Sequence, residues 1–125
     1  MPNLPKEVSQ AWDNRNDPII LTTVDHDGVP NSIYATCVNK FGEDTLVVAD
    51  NYFDKTRRNI KAGSRGSFLF ITNERKAYQI KGTIEYFTSG PVFDEMKKWN
   101  SRKLPGIAVA ALVAKEVYSG SQKVE

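Results

Sequence analysis

The chain has 125 residues, of which 40% are hydrophobic, and carries a formal net charge of +2 at pH 7. A chain of this length buries about two thirds of its unfolded surface around one core, so we expect a single domain over residues 1–125. The small net charge disfavours a dedicated nucleic-acid binder, and the single cysteine excludes an internal disulfide and any multi-cysteine zinc site. Because no apolar signal core begins the chain and no apolar run is long enough to span a bilayer, the sequence predicts a soluble cytoplasmic protein.

The first part of the chain predicts a helix followed by a β-hairpin. Apolar residues recur at helical spacing between Leu4 and Trp12, which is typical of a short amphipathic helix that covers a core. Residues 19–24 form the next predicted strand, the sequence DHDG at 25–28 indicates a turn, and a second strand is predicted over residues 29–39.

His26 lies in this turn between Asp25 and Asp27, and such a trio has the chemistry of a metal site or of an acid-base site. The chain has no second histidine, and neighbouring turn residues rarely converge on one point. We therefore expect an exposed turn histidine, and we predict neither a metal site nor a catalytic side chain.

The second strand alternates between a polar face and an apolar face. Tyr34, on the polar face, is either a ring that packs against a planar ligand or an amphipathic tyrosine with its hydroxyl in water. Cys37, on the apolar face, is interpreted as core filler because no histidine partner accompanies it. The polar face comprises Ser32, Tyr34 and Thr36, and the apolar face comprises Ile33, Ala35 and Cys37.

A short basic helix is predicted between two buried strands at residues 45–49 and 67–72. Asp54 occupies the expected N-cap position, and Gly63 is the expected C-terminal stop. The first turn, residues 55–57, then carries two cations and one hydroxyl beside free backbone amides, which favours an anionic ligand such as a phosphate monoester. The alternative is a solvated basic turn without a ligand.

The rest of the chain predicts a long strand, a helix and a final strand. The long strand covers residues 77–87, and Gly82 within it indicates a bend or a close backbone approach. A helix begins at Pro91, and the last strand, residues 106–118, is apolar on both faces, which predicts burial either inside the sheet or against a second subunit. The fold class is therefore mainly β, a six-stranded barrel with two to three short covering helices.

The hairpin TTVDHDGVPNSIYATCV at 22–38 and the segment LVVADNYFDKTRRNIKAGSRGSFLF at 46–70 are followed by a long strand, a helix and a final strand. In this order they resemble the FMN-binding split-barrel family, which includes pyridoxamine 5′-phosphate oxidases and small bacterial FMN-binding proteins. The resemblance covers nearly the whole chain and implies a six-stranded split β-barrel. It also implies a homodimer with two FMN sites at its interface, with the last strand and the Trp99 helix as candidate partner contacts. Core packing is the alternative role of Trp99.

In that family a lysine with a neighbouring serine or threonine, just after the third strand, holds the FMN phosphate, and Lys55 and Thr56 stand at that place. The resemblance implies that Arg57 or Arg58 adds a second cation. It also implies that the flavin ring lies along strands two and three. The ring would contact Ser32, Ile33 and Tyr34, and the backbone of Val47, Val48, Ala49 and Asp50.

The resemblance predicts an FMN-binding redox protein or oxidoreductase with an unidentified small-molecule or protein electron partner. Pyridoxamine 5′-phosphate oxidases carry an arginine-rich C-terminal segment that holds the substrate, whereas this sequence ends in YSGSQKVE, so we do not expect that oxidase activity. Related split barrels bind a deazaflavin or haem; the deazaflavin is an alternative cofactor, and a lone turn histidine disfavours haem. Another alternative is a cofactor-free barrel that binds nucleic acid or an acidic partner through Lys55, Arg57, Arg58, Lys61 and Arg65.

Overall fold

The structure is a computed structural model that describes residues 4–124. Within these residues the chain forms three helices and eight strands. None of these helices is long and apolar enough to cross a bilayer. The elements are α1 (Lys6–Asp13), β1 (Arg15–Val24), β2 (Pro30–Ala35), β3 (Val38–Phe41), β4 (Thr45–Asp50), α2 (Lys55–Lys61), β5 (Arg65–Thr72), β6 (Ala77–Phe87), α3 (Pro91–Trp99), β7 (Ala108–Ser119) and β8 (Gln122–Lys123).

All strands belong to one antiparallel sheet with the order β2-β1-β5-β6-β7-β4-β3, and β8 pairs with β7. The strands at the two ends of this order, β2 and β3, follow each other directly in the chain. The sheet therefore curls back on itself as a split barrel, which leaves short edges rather than long unpaired ones. The predicted mainly β fold with short covering helices is confirmed.

The predicted second strand, residues 29–39, is divided into β2 and β3 by a break at Thr36 and Cys37. Before the break the chain pairs with β1, and after it the chain pairs with β4. The change of partner also turns Cys37 toward a different apolar cluster from the one that holds Ile33 and Ala35, so these three residues do not share one apolar face. This division and the two-residue β8 explain why the structure has eight strands where six were predicted.

Two apolar clusters lie on opposite sides of β7. One fills the barrel interior and includes Leu112, and the other lies under α3 and includes Val109 and Met96. Alternate residues of β7 face one cluster and then the other, which explains why the last strand is apolar on both faces. Residues 108–114 are all buried by this chain itself, so the first of the two predicted possibilities, burial inside the sheet, is the one observed. Trp99 is half-buried and packs against the second cluster.

α1 is the predicted covering helix, and it packs against the interior cluster through Val8 and Trp12. The Trp12 ring meets Phe70 edge-on, with 5.2 Å between the ring centroids. On its polar side, Glu7 accepts a hydrogen bond from the Tyr78 hydroxyl at 2.7 Å. A helix of eight residues is marginal alone, so these contacts with the sheet stabilise it.

Candidate functional site

α2 begins where the sequence predicts, directly after Asp54, but the expected side-chain cap is not formed. The Asp54 carboxylate makes no capping hydrogen bond and lies 3.8 Å from the guanidinium of Arg58. Gly63 follows the helix with a φ of 90°, in the left-handed region that favours glycine, as the predicted C-terminal stop requires. Because α2 has only seven residues, contacts with the sheet must stabilise it.

Two hydrogen bonds between side chains anchor α2 to the first hairpin. The Asn59 amide donates to the Thr23 hydroxyl at 3.0 Å, and the Asn31 amide donates to the Thr56 hydroxyl at 3.0 Å. Thr56 is buried, and because its oxygen accepts from Asn31, its own proton is left to donate to another acceptor.

A buried ion pair connects α2 to the end of β4. The carboxylate of Asp50 is fully buried and accepts hydrogen bonds from Nε and Nη2 of Arg57 at 2.8 and 3.0 Å. The Tyr86 hydroxyl on β6 and the main-chain N–H of Phe53 donate to the same carboxylate. The buried charge is therefore paired and hydrogen-bonded within the protein, as its removal from water requires.

This network raises the pKa values of its two side-chain donors. The hydrogen bond to Asp50 raises the pKa of Arg57. Burial, followed by the hydrogen bond to Asp50, raises the pKa of Tyr86 to about 12. At neutral pH, Arg57 is therefore a cation and Tyr86 a neutral hydrogen-bond donor.

The predicted phosphate ligands lie in three different environments. Lys55 is exposed, and its ammonium group makes no hydrogen bond or ion pair with any residue between 4 and 124. Thr56 is buried under the helix, and Arg57 is bound to Asp50. Lys55 is therefore the exposed cation without a competing partner, whereas Thr56 has a proton left to donate but lies buried.

Three of the predicted ring contacts belong to β2, a strand at one end of the pairing order. Tyr34 is 76% exposed, whereas Ile33 is half-buried against the interior cluster. The Ser32 hydroxyl lies 2.8 Å from the hydroxyl of Thr22 on β1, so one of these two groups donates to the other. The ring of Tyr34 is thus the large aromatic surface that β2 presents outward.

The other predicted ring contacts, on β4, are buried, and their main chain is used by the sheet. β4 pairs with β3 on one side and with β7 on the other. The N–H of Ala49 donates to the carbonyl of Cys37, and the carbonyl of Asp50 accepts from the N–H of Ile107. Residues 47–49 therefore offer a ligand apolar contact rather than free main-chain hydrogen bonds.

A cavity of about 210 Å³ opens between β2 and β4 and brings part of the predicted ring site together. Its wall continues through residues 51–53, directly before α2, and includes the exposed ring of Tyr52. The predicted ring contacts that line it are Ile33, Tyr34, Val48 and Ala49, and those that do not are Ser32, Val47 and Asp50.

Sequence reasoning did not identify Tyr86, Asn31 and Asn59 as parts of this region. Tyr86 lies 36 positions from Asp50 in the chain, and Asn31 lies 25 positions from Thr56. The first pair meets because β4 and β6 flank β7, and the second because α2 packs against β2. Asn59 was the one local signal, because it is a polar residue on the buried side of a short helix.

His26 lies in the first hairpin turn, as predicted, and its side chain is 87% exposed. Asp25 folds the turn, since its Oδ1 accepts hydrogen bonds from the main-chain N–H groups of Asp27 and Val29, both at 2.9 Å. Among residues 4–124 no group of three or more His, Cys, Asp or Glu side chains is arranged to hold a metal ion.

Comparison with known proteins gives one match to a curated relative and several to solved structures. An uncharacterised protein of Methanocaldococcus jannaschii is 31% identical over 77 residues, which are 60% of this chain and about half, 52%, of that protein. The crystal structure of HupZ from Group A Streptococcus has a TM-score of 0.80 at 24% identity and covers 98% of both chains. The crystal structure of an FMN-binding protein from Syntrophomonas wolfei has a TM-score of 0.71 at 24% identity, covering 93% of this chain and 84% of that one.

The two solved structures share the split-barrel fold with this chain. The family described as pyridoxamine 5′-phosphate oxidase matches residues 4–120, which is nearly the whole length of the chain. The protein therefore belongs to the pyridoxamine 5′-phosphate oxidase family.

Proposed function

We propose that the protein binds FMN between β2 and β4 and passes electrons between the flavin and a small-molecule or protein partner. The observation that carries the proposal is the cavity between these strands, whose wall runs through residues 51–53 into α2. The apolar wall that would contact the flavin ring and the exposed cation of Lys55 therefore lie next to each other along the chain. FMN, when bound, supplies the redox chemistry, and the protein supplies binding and orientation.

The ring end of the proposed site is apolar and aromatic. Val48 and Ala49 form part of the cavity wall, and the exposed rings of Tyr34 and Tyr52 stand at it. Aromatic side chains stack against planar ligands, so these two tyrosines suit the flavin ring system. The cavity of about 210 Å³ is smaller than the 300–1,000 Å³ typical of ligand pockets, so one chain would enclose only part of the cofactor.

The phosphate end of the proposed site is formed by Lys55 and Thr56. An ammonium group and a hydroxyl proton both donate to phosphate oxygens, and the ammonium adds a charge-assisted bond. Arg57 adds positive charge nearby, while Asp50 holds two of its nitrogens. We assign Arg57 to orienting α2 and Lys55 to direct contact.

A homodimer would complete a site that one chain leaves open. The outer surface of the sheet carries a row of paired residues in which Tyr34 lies opposite Ile20, and Ile20 lies opposite Leu69. Leu69 is 38% exposed, and together with the exposed ring of Tyr34 it gives this row an apolar surface that a partner chain would cover. We place the dimer contact on this surface. We also propose that the protein is cytoplasmic, because a free cysteine such as Cys37 stays reduced there.

The cofactor-free alternative, a basic patch for nucleic acid, is weakened by the position of Arg57. Its guanidinium is bound to a buried carboxylate, which removes one of the five cations from the surface. No observation favours this alternative over a flavin site.

The visible absorption spectrum of the purified protein tests the proposal, measured before and after addition of FMN and removal of the excess by gel filtration. We expect a bound flavin spectrum at about one FMN per chain, on a particle of dimer size. A protein that retains no FMN under either condition contradicts the proposal. Retention of a deazaflavin by the same preparation would then show that the site takes the alternative cofactor.

A further inference from the structure

A groove of about 640 Å³ crosses the outer surface of β1, β5, β6 and β7. Its floor follows a line of directly paired residues, in which Thr22 lies opposite Ser67, Ser67 opposite Lys81, and Lys81 opposite Glu116. The groove therefore has hydrogen-bonding side chains from four neighbouring strands, and the sheet fixes their positions.

A β-bulge in β7 adds a second lysine to the groove. The pairing register shifts between Lys81 and Gly82, which leaves Lys115 without an opposite residue on β6. Bulges change the direction of a side chain, and here the consecutive residues Lys115 and Glu116 both line the groove. Gly82 permits the close approach, because a Cβ at this position would lie 1.9 Å from the carbonyl oxygen of Val113.

The groove carries three positive charges, from Arg65, Lys81 and Lys115, against one negative charge from Glu116. Among residues 4–124, no carboxylate oxygen lies within 4.0 Å of any of these three cations. Glu116 accepts a hydrogen bond from the Tyr118 hydroxyl at 2.6 Å, and the ammonium of Lys81 lies 5.4 Å from the centre of the same ring. The groove thus holds a net positive charge at positions set by the sheet and by Tyr118.

We propose that this groove binds a small phosphate-bearing molecule of about nucleotide size. A guanidinium, ammonium groups and hydroxyls are the side-chain donors that suit phosphate oxygens. The volume of about 640 Å³ lies within the range of ligand pockets. None of the residues that line the groove belongs to the proposed FMN site. Ser67 and Gln79 in its wall do adjoin Leu69 on the same outer surface, so the inference rests on a dimer contact that leaves the groove open.

The test is a titration with inorganic pyrophosphate, followed by the NMR shifts of backbone amides. It uses the purified protein in its solution oligomeric state, loaded with FMN and freed of the excess by gel filtration, so that the flavin-phosphate site is filled and no free FMN competes for the groove. We expect saturable shifts at the groove amides, namely Gly66, Ser67, Gly82 and Thr83.

Matched variants connect those shifts to the groove. Lys81→Gln with Lys115→Gln should raise the apparent Kd for pyrophosphate by about tenfold or more, the scale of a lost charge-assisted hydrogen bond. Lys103→Gln removes an exposed lysine outside the groove and should leave the Kd unchanged.

Four outcomes would overturn the inference. The first is the absence of saturable shifts at the groove amides, and the second is an unchanged Kd in the double variant. The third is loss of FMN retention in the double variant, which would make the groove part of the flavin site. Displacement of pyrophosphate by single-stranded oligonucleotides, with an affinity that grows with their length, would also overturn it in favour of a nucleic-acid surface.

Discussion

The guanidinium of Arg57 binds the buried carboxylate of Asp50 through two nitrogens, at 2.8 and 3.0 Å. Asp50 is the last residue of β4, and Arg57 lies in the first turn of α2, so this contact fixes the direction in which the chain leaves the sheet. Lys55 and Thr56 lie between these two residues in the chain. The ion pair therefore positions the groups that we assign to the phosphate.

Asp50→Asn should lower the free energy of unfolding by about 1.5–3 kcal/mol, because it removes the charge from a hydrogen-bonded buried acceptor. Urea denaturation at pH 7 measures this change. Asp54→Asn is the matched control. The Asp54 carboxylate is 79% exposed and lies 3.8 Å from Arg58, a long contact for an ion pair, so this substitution should cost little stability. Equal midpoints for the two variants would show that the Asp50 ion pair does not stabilise the fold.

The pKa of Tyr86, raised to about 12, predicts a loss of stability at alkaline pH. The folded state holds this proton more tightly than the unfolded chain, in which the pKa is 10.0. The contribution of Tyr86 is therefore complete below pH 10 and is lost as the pH rises through about 12.

Tyr86→Phe should lose stability at neutral pH and show a weaker alkaline decline than the wild-type protein. Chemical denaturation across the alkaline range measures both effects. Tyr52→Phe removes an exposed hydroxyl and should keep the wild-type decline. If the free energy of unfolding of Tyr86→Phe fell with rising pH as steeply as that of Tyr52→Phe, another group would be responsible for the alkaline loss of stability.

Most elements could be predicted because their signals are local. The residue pattern indicated the strand at residues 77–87, and Pro91 marked the start of α3; both agree with the structure. The break at Thr36 and Cys37 was missed, because it arises where the chain exchanges β1 for β4 as its partner. Pairing partners depend on contacts between distant parts of the chain, which single-strand patterns do not encode.

The candidate site shows the same difference between local signals, which the sequence carries, and long-range contacts, which it does not. A cation and a hydroxyl at residues 55–56 could be identified from their place before a short helix. The interaction between Asp50 and Tyr86 could not, since the two residues are 36 positions apart and meet only when β4 and β6 flank β7. The sequence thus indicated a neighbouring cation and hydroxyl, of which Lys55 is exposed and Thr56 is buried, and missed the long-range contacts that orient them.

Gly82→Ala should destabilise the protein more than Gly66→Ala, although the two glycines lie opposite each other. A Cβ at residue 82 would lie 1.9 Å from a main-chain oxygen. A Cβ at residue 66 would lie 2.4 Å from the flexible end of Ile84, and its nearest main-chain atom, the oxygen of Thr22, is 3.0 Å away. We expect a cost of about 3 kcal/mol or more for the first variant and about 1 kcal/mol for the second. Denaturant midpoints of the two variants give the comparison, and equal costs would mean that the bulge is not held by Gly82.

Leu69→Lys should convert the proposed dimer into a monomer, because a buried lysine without a partner is costly at an apolar contact. Light scattering after gel filtration measures the mass of each variant. Val29→Lys is the control, since Val29 is also exposed but lies at the tip of the first hairpin. A dimeric Leu69→Lys variant would place the interface on another surface.

Lys55→Ala should weaken FMN binding, because it removes a charge-assisted hydrogen bond to the phosphate worth about 1.5–3 kcal/mol. Adding Thr56→Ala should bring the total loss to about 2–4 kcal/mol, measured by fluorescence titration of FMN. Lys61→Ala is the matched control, because it removes an exposed lysine at the other end of the same helix. Equal losses from Lys55→Ala and Lys61→Ala would indicate general attraction to a basic helix. A loss confined to the Lys55 variants, with unchanged unfolding midpoints, would locate the phosphate at the start of α2.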